Sequence, residues 1–589
     1  MNGGPAREPK FGTFGEMLAA AARADAHLTF VDASEREQTV SYRELRRKAL
    51  GRAQAFAEKG IRPGDRVALL LPTSPDFVSC FFGVVLAGAI PVPLYPPVRL
   101  GRLDEFHRRT AAMLKACGAR LVVADTRFQR LLGESILRAR PELGLLTPDR
   151  LEAEGGEDWH AAPEEIAFIQ FSSGTTVEPK PVALTHRNVL SNVEAFDSVI
   201  EAAGGWSRGV SWLPLYHDMG LIGGLLASIY RTGSGRTAWP VLLPPEVFLG
   251  KPGLWLRLLS RHRGEISVAP NFAYGLCLKR MREEELADLD LSHVRFLLSG
   301  AEPVIASVLR RFLDRFAPAG LRSNVLVPVY GLSEATLAVT FRSPCQPLQT
   351  AQVDPHAAAL EGAVREGTRE VVSVGRPLAG VQLEIRDADG LVLPERRIGR
   401  IFVQSPGVMA GYFERPDATE QVLRDGWLDT GDLGFIAEEE LFITGRAKDV
   451  VIIRGANHPP QVFEECLDGL EGVRTGCAAA VGFTPGGESS EELALLVETD
   501  GEPSESLAQR IRSVVVEVTG IRPHTVALLE PGTLPRTSSG KLRRGEAARQ
   551  WLAGELKPPK SVTTFSLALE MAKGQLQLTR AKLGFDAPD

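Results

Sequence analysis

Unbroken aliphatic runs alternate with helix-forming stretches along much of this chain, and that alternation restricts the fold more than any other feature. Val67-Ala-Leu-Leu-Leu71 and Leu121-Val-Val-Ala124 read as buried strands, with a helix over residues 77–86 between them. Ile166-Ala-Phe-Ile169 precedes a helix from about Arg187, and Val294-Arg-Phe-Leu-Leu298 precedes one from about Ile305. Such alternation is the pattern of parallel sheets covered by helices. Later the texture changes. Val381-Gln-Leu-Glu-Ile-Arg386 and Gly399-Arg-Ile-Phe-Val403 alternate like half-exposed strands, with turns at Asp389-Gly390 and Asp425-Gly426. They predict a small β-rich subdomain.

A second unit begins near Gly445. Asp449-Val-Val-Ile-Ile-Arg454 reads as a strand and residues 460–470 as a helix. Residues 478–483 and 493–498 are further strands, 507–519 a helix, and the unit closes near Arg549. The expected fold class is therefore α/β. A large N-terminal domain, residues 1–445, would hold two α/β sheet subdomains and the β-rich subdomain. A small α+β domain follows over 446–550, then a tail, 551–589, with an amphipathic helix candidate at 565–583. The bland expectation for that helix is a surface element docked on the body.

Composition narrows the class of function. The 67 basic and 73 acidic residues leave a net charge of -6, which gives no reason to expect a nucleic-acid partner. The six cysteines (Cys80, Cys117, Cys277, Cys345, Cys466, Cys477) are scattered without a C-x-x-C pair, as expected of reduced thiols in a cytoplasmic protein. Residues 1–10 are polar, so no signal peptide is expected. Gly83, Gly88, Pro91 and Pro93 interrupt the longest apolar stretch, residues 77–94. It falls short of the roughly 20 residues that a membrane span needs.

Six short blocks carry the chemistry. Phe171-Ser-Ser-Gly-Thr-Thr-Val-Glu-Pro-Lys180 follows a strand. Hydroxyls and backbone N–H groups of Ser172, Ser173, Gly174, Thr175 and Thr176 can wrap phosphates, and Lys180 adds a point charge. The spacing is not that of a P-loop. Leu213-Pro-Leu-Tyr-His-Asp-Met-Gly-Leu221 comes next, then Val329-Tyr-Gly-Leu-Ser-Glu-Ala335. There Glu334 is a carboxylate of the kind a hard cation prefers. Leu428-Asp-Thr-Gly-Asp432 and Gly445-Arg-Ala-Lys448 follow. Leu534-Pro-Arg-Thr-Ser-Ser-Gly-Lys541 closes the series with a lysine on a flexible turn.

Alone, each block is weak evidence; together, in this order over about 370 residues, they resemble the adenylate-forming enzymes, and within them most closely the fatty acyl-AMP ligases. Val177 and Pro181 depart from that pattern, standing where glycines are usual. The resemblance implies a role for each matched position. Tyr330 would stack on adenine beside Gly331, and Ser299-Gly-Ala-Glu302 would line adenine and ribose through Gly300 and Ala301. Ser333 would bond the α-phosphate and Glu334 would bind Mg²⁺. Asp432 and Arg446 would hold the ribose. Lys448 would be the hinge of a mobile C-terminal domain. Lys541 would bridge the substrate carboxylate and the α-phosphate, with His217 nearby.

Three features point to the fatty acyl-AMP branch. One is Tyr216-His-Asp-Met-Gly220. The second is a long connection after Glu334 that holds an insertion at about 340–371, with few strand or helix signals beyond its start. The third is Arg454-Gly-Ala-Asn-His-Pro-Pro-Gln461. In that family the insertion is associated with holding the C-terminal domain and disfavouring CoA. The acyl tunnel is expected along residues 219–229 and 269–274. Arg543 and Arg544 read as surface charges or as contacts for an acidic carrier protein.

The implied activity is ATP- and Mg²⁺-dependent conversion of a medium- or long-chain fatty acid to its adenylate, then transfer to the phosphopantetheine thiol of an acyl carrier protein. An acyl-CoA ligase sharing the first step is the alternative. An amino-acid adenylation domain would need an acidic partner for the substrate amine, such as Asp218. A regulatory pseudoenzyme is opposed by the presence of Glu334, Asp432, Arg446 and Lys541.

Overall fold

The computed structural model describes residues 1–97, 100–172, 179–453, 456–485, 491–537, 540–559 and 564–583. Its largest sheet has nine strands. Leu326–Tyr330, Phe296–Ser299, Ile266–Ala269, Arg208–Ser211, Trp239–Leu242 and His27–Val31 run parallel side by side. Antiparallel strands close both edges. The helix Ala306–Phe316 shows how the sheet is covered. Its apolar residues recur at three- and four-residue spacing, and Val308, Leu309, Phe312, Leu313 and Phe316 are buried. Each such side chain contributes about 1.5–3 kcal/mol.

A second, four-stranded sheet joins Ile90–Pro93, Arg66–Leu70, Ala119–Ala124 and Leu145–Leu146, all parallel. The helix Pro75–Leu86 between its strands begins at Ser74, whose hydroxyl accepts from the Phe77 N–H, with proline at the first position. Ile166–Phe171 departs from the expected alternation. It pairs antiparallel with Pro181–Thr185 in a three-stranded sheet, before the helix His186–Ala202 begins. The connection between the two strands is too short for a parallel crossover, which takes a dozen or more residues.

The β-rich subdomain is a five-stranded antiparallel sheet. Its tightest hairpin pairs Arg424 with Trp427 across Asp425-Gly426. Both turn residues have positive φ (50° and 78°), the geometry of a two-residue turn matched to strand twist. In the C-terminal unit Val473–Phe483, Glu492–Thr499 and Thr525–Leu529 form one sheet. The helix Glu505–Thr519 covers it, capped by the Ser504 hydroxyl and ended by Gly520 at φ 71°. The helix expected over 460–470 is shorter, Gln461–Glu465.

The insertion is more ordered than its sequence suggests. Thr350–Val353 pairs with Arg369–Val372, with the helix Pro355–Glu361 between them. Val353, Val364 and Val371 pack on Phe435 and Phe442 of the five-stranded sheet. The tail helix Thr564–Lys582 lies against Gly133–Ala139, where Gly574 meets Gly133 so closely that a Cβ on Gly133 would fall 2.0 Å from the Gly574 carbonyl oxygen. Among the described residues no helix is long and apolar enough to cross a membrane.

Candidate active site

The C-terminal edges of the parallel strands, the five-stranded sheet and the C-terminal unit enclose one cavity of about 1390 Å³. Ligand sites of open α/β sheets form at this edge. Ser172, Lys180, His217, Ala301, Tyr330, Gly331, Ser333, Glu334, Asp432, Arg446, Lys448 and Lys541 all line it. Gly300 sits just behind the wall, where a Cβ would fall 2.7 Å from the Val329 carbonyl oxygen. Ser173, Gly174, Thr175 and Thr176 lie outside the described residues, as does Arg454 of the third branch feature. The neck of the phosphate-loop candidate is closed by the Ser172 N–H donating to the Lys180 carbonyl at 3.0 Å.

Two elements bring the ribose-side candidates together. Asp432 and Arg446 face each other across neighbouring antiparallel strands. Arg446 Nε lies 2.8 Å from Asp432 Oδ1, and the Tyr330 hydroxyl donates to Asp432 Oδ2 at 2.8 Å. Each carboxylate oxygen keeps a lone pair for another donor. Asp432 in turn raises the pKa of Arg446. Burial and Asp432 hold the Tyr330 phenol protonated, so it acts as a donor. Gly331 is required by packing, since a Cβ there would fall 1.6 Å from the Leu337 carbonyl oxygen. Ala301 takes φ 68°, a left-handed conformation that costs energy for a residue with a Cβ.

His217, Asp218 and Ser333 form a second group. His217 Nδ1 lies 2.6 Å from Asp218 Oδ1, the Met219 N–H donates to the same oxygen at 2.7 Å, and the Ser333 hydroxyl donates to Oδ2 at 2.5 Å. Burial raises the Asp218 pKa, but His217, Ser333 and Lys541 outweigh it and hold the carboxyl below the usual range. Asp218 already holds three partners within the protein, two on Oδ1 and one on Oδ2, which fits an anchoring role better than that of a counter-charge for a substrate amine. The single hydroxyl hydrogen of Ser333 is engaged with Asp218, so in this arrangement Ser333 orients Asp218.

Lys541 enters from the C-terminal unit on a turn closed in both directions: Lys541 N–H to Thr537 Oγ1 at 3.0 Å, and Thr537 N–H to the Lys541 carbonyl at 2.8 Å. Arg536 braces the turn through the Gly540 and Gly476 carbonyls, at 2.7 and 2.6 Å. Burial lowers the Lys541 pKa, and Arg446 adds to that, while Asp218, Glu302 and Asp432 oppose it. Glu334 accepts from the Tyr412 hydroxyl at 2.9 Å, and Lys180 Nζ stands 4.6 Å from the centre of the Tyr412 ring.

Tyr412, Arg536 and the anchoring role of Asp218 were not legible in the sequence. Asp218 and Arg536 lie inside the motif blocks, next to residues singled out there. Tyr412 is far from them and carries no motif. Arg543 and Arg544 correct their expectation as surface charges. Arg543 is buried against Glu105 at 2.9 Å, and Arg544 pairs with Glu464 at 2.6 Å and Asp449 at 3.5 Å.

Comparison with known proteins matches this fold. The profile of AMP-binding enzymes matches residues 18–413. The chain belongs to the AMP-binding enzyme family. A Caulobacter vibrioides protein provisionally named an acyl-CoA synthetase is 35% identical over 88% of this chain and 91% of its own length. A medium-chain-fatty-acid–[acyl-carrier-protein] ligase of Moorena producens is 32% identical over 90% and 92%. A solved structure from a study of fatty acyl-adenylate ligases of E. coli and L. pneumophila superposes with a TM-score of 0.86 at 32% identity, covering 93% of this chain and 99% of that one. This AMP-binding protein is an acid-adenylating ligase with the α/β fold of those ligases and a smaller C-terminal domain.

Proposed function

We propose that this ligase joins a medium- or long-chain fatty acid to AMP and passes the acyl group to the phosphopantetheine thiol of an acyl carrier protein. One observation carries the reading: the cavity joins a charged chamber to an apolar tunnel. The chamber holds Asp432, Tyr330, Arg446, His217 and Lys541, and the tunnel is lined by Met219, Gly223, Gly224, Ala227 and Phe272. A polar head and a long hydrocarbon fit those two environments.

Adenine would lie by Tyr330 and the Gly300–Ala301 backbone, with the ribose hydroxyls on Asp432. The fatty carboxylate attacks the α-phosphorus, the bond to the departing pyrophosphate breaks, and a mixed anhydride forms. Lys541 and Lys180 offset the charge gathering there, and the braced turn at Thr537 fixes the Lys541 backbone. His217, oriented by Asp218, lines the same chamber. No protein nucleophile is needed. Among the described residues no cluster of three His, Cys, Asp or Glu side chains could cage a metal. Glu334 alone fits Mg²⁺, which commonly binds through one carboxylate plus substrate phosphates, and the ion supplies neutralisation of triphosphate charge. In the second step the thiol sulfur attacks the acyl carbon and AMP leaves.

We further propose domains at 1–445 and 446–550, with Lys448 as the hinge between them. The insertion supports the carrier-protein reading. Its helix Pro355–Glu361 lies against Ala456–His458, and Arg369 reaches Glu465 at 3.2 Å. It thereby ties the C-terminal unit to the body. The test is mass spectrometry of products from ATP, Mg²⁺ and a panel of fatty acids, with CoA or a holo-acyl carrier protein. Acyl-AMP that ignores CoA yet acylates the carrier supports the proposal. Acyl-CoA as the main product replaces it with a CoA ligase.

A further inference from the structure

The apolar branch of the cavity follows the strand Arg208–Ser211 from beyond its C-terminal end, at His217, to below its N-terminal end, at Trp206. Ile200 and Ile266 line the same lower end, and Ile266 stands in register with Gly209. Gly209 leaves room for the indole: a Cβ there would lie 3.1 Å from Trp206 Cζ3 and 3.4 Å from Ile266 Cγ2.

Beneath the indole lies a group of paired charges. Arg231 lies 5.4 Å from the centre of the Trp206 ring system, and its Nε donates to the Trp206 carbonyl at 2.7 Å. Arg231 also pairs with Asp197 at 3.0 Å and Glu201 at 2.7 Å, and Arg236 pairs with Asp197 at 2.8 Å. A hydrocarbon long enough to pass Trp206 would have to displace the ring and meet the buried Arg231–Asp197 pair, where it gains nothing and separates paired charges.

Building on the proposed fatty-acid activity, we infer that Trp206 is the floor of the acyl tunnel and sets the upper limit of chain length. From Trp206 to Leu213 the chain advances roughly 20 Å at the rise of a parallel strand. The C–C bonds of an extended hydrocarbon, each about 1.5 Å, zigzag at the tetrahedral angle and advance about 1.3 Å per carbon, so the tunnel accommodates roughly 16 carbons. Gly223 marks an upper point of the tunnel, where a Cβ would meet only Leu337 Cδ2, at 3.4 Å.

The test is the profile of acyl-AMP formation against chain length for the wild type and three variants, each checked by circular dichroism. Trp206→Ala should extend the longest acid used by roughly four carbons, about the depth of the vacated indole. Trp206→Phe should leave the limit nearly in place. Gly223→Leu narrows the tunnel near its upper end and should shorten the longest acid used by well more than about four carbons. A folded Trp206→Ala enzyme with the wild-type limit would overturn the inference and leave the activity standing. Wild-type protein that adenylates no fatty acid at all would remove both.

Discussion

Replacing Lys541 with alanine is the sharpest test of how the proposed site works. The ammonium enters a chamber where burial opposes its charge and Asp218, Glu302 and Asp432 support it. A cation about 5 Å from developing negative charge contributes roughly 3 kcal/mol at an effective dielectric constant near 20. That corresponds to a factor of roughly 10² to 10³ in rate, the range found when one fixed charge-stabilising donor is removed. Pyrophosphate release from ATP and a fatty acid should therefore fall by about that factor in kcat. Transfer from a pre-formed acyl-adenylate, which bypasses the step, should be spared. Stability should move the other way. The lowered pKa means that the folded protein holds this proton less tightly than the unfolded chain does. The resulting penalty is complete below the lowered pKa and disappears as pH rises towards the unfolded value of about 10.4. The variant lacks the penalty, so its melting temperature at pH 7 should match or slightly exceed the wild type, and the gap should close at high pH. A folded Lys541→Ala enzyme with full adenylation activity would refute the assignment.

Three further outcomes follow from the contacts described. Asp218→Asn removes a carboxylate that holds His217 and Ser333, at about 1.5–3 kcal/mol for bonds to a charged group, so kcat should fall roughly 10- to 100-fold. Because its folded pKa is depressed, Asp218 adds stability above the unfolded value of about 3.9 and loses it as pH falls through the depressed value, so wild type and variant should converge only in strong acid. Glu334→Gln keeps an acceptor for Tyr412 but removes the charge, and should raise the Mg²⁺ needed for half-maximal pyrophosphate release by roughly tenfold or more. Gly574→Leu would push a Cβ to within 1.7 Å of the Arg130 carbonyl oxygen, so the tail helix should undock, at about 1–3 kcal/mol, and lose hydrogen-exchange protection over residues 564–582.

Much of the strand framework was legible because buried strands need apolar side chains on both faces. Val67–Leu71 and Leu121–Ala124 therefore stand out, as does the Asp425-Gly426 turn, whose positive φ angles favour such residues. The misreadings share a cause. Ile166–Ile169 has the same local composition as a parallel strand, and its antiparallel partner is chosen by the short connection and the neighbouring sheet. The insertion carries little local preference for strand or helix. Val353, Val364 and Val371 order it by packing on Phe435 and Phe442.

The site divides in the same way. The sequence by itself determined the chemical groups: a hydroxyl-rich loop, a carboxylate after a strand, an Asp and an Arg at the ribose position, and a lysine on a turn. Local chemistry writes such groups into short motifs. Only the tertiary structure decided how they act on one another. Asp432 meets Tyr330 because a strand of the five-stranded sheet packs against the end of a strand of the nine-stranded sheet, and Glu334 meets Tyr412 across 78 residues. Arg543 turned out to be an inter-domain clasp on Glu105, 438 residues away, because burial and pairing depend on what packs opposite. A surface arginine and a buried, paired one have the same letter in the sequence, and the difference in free energy lies wholly in their surroundings.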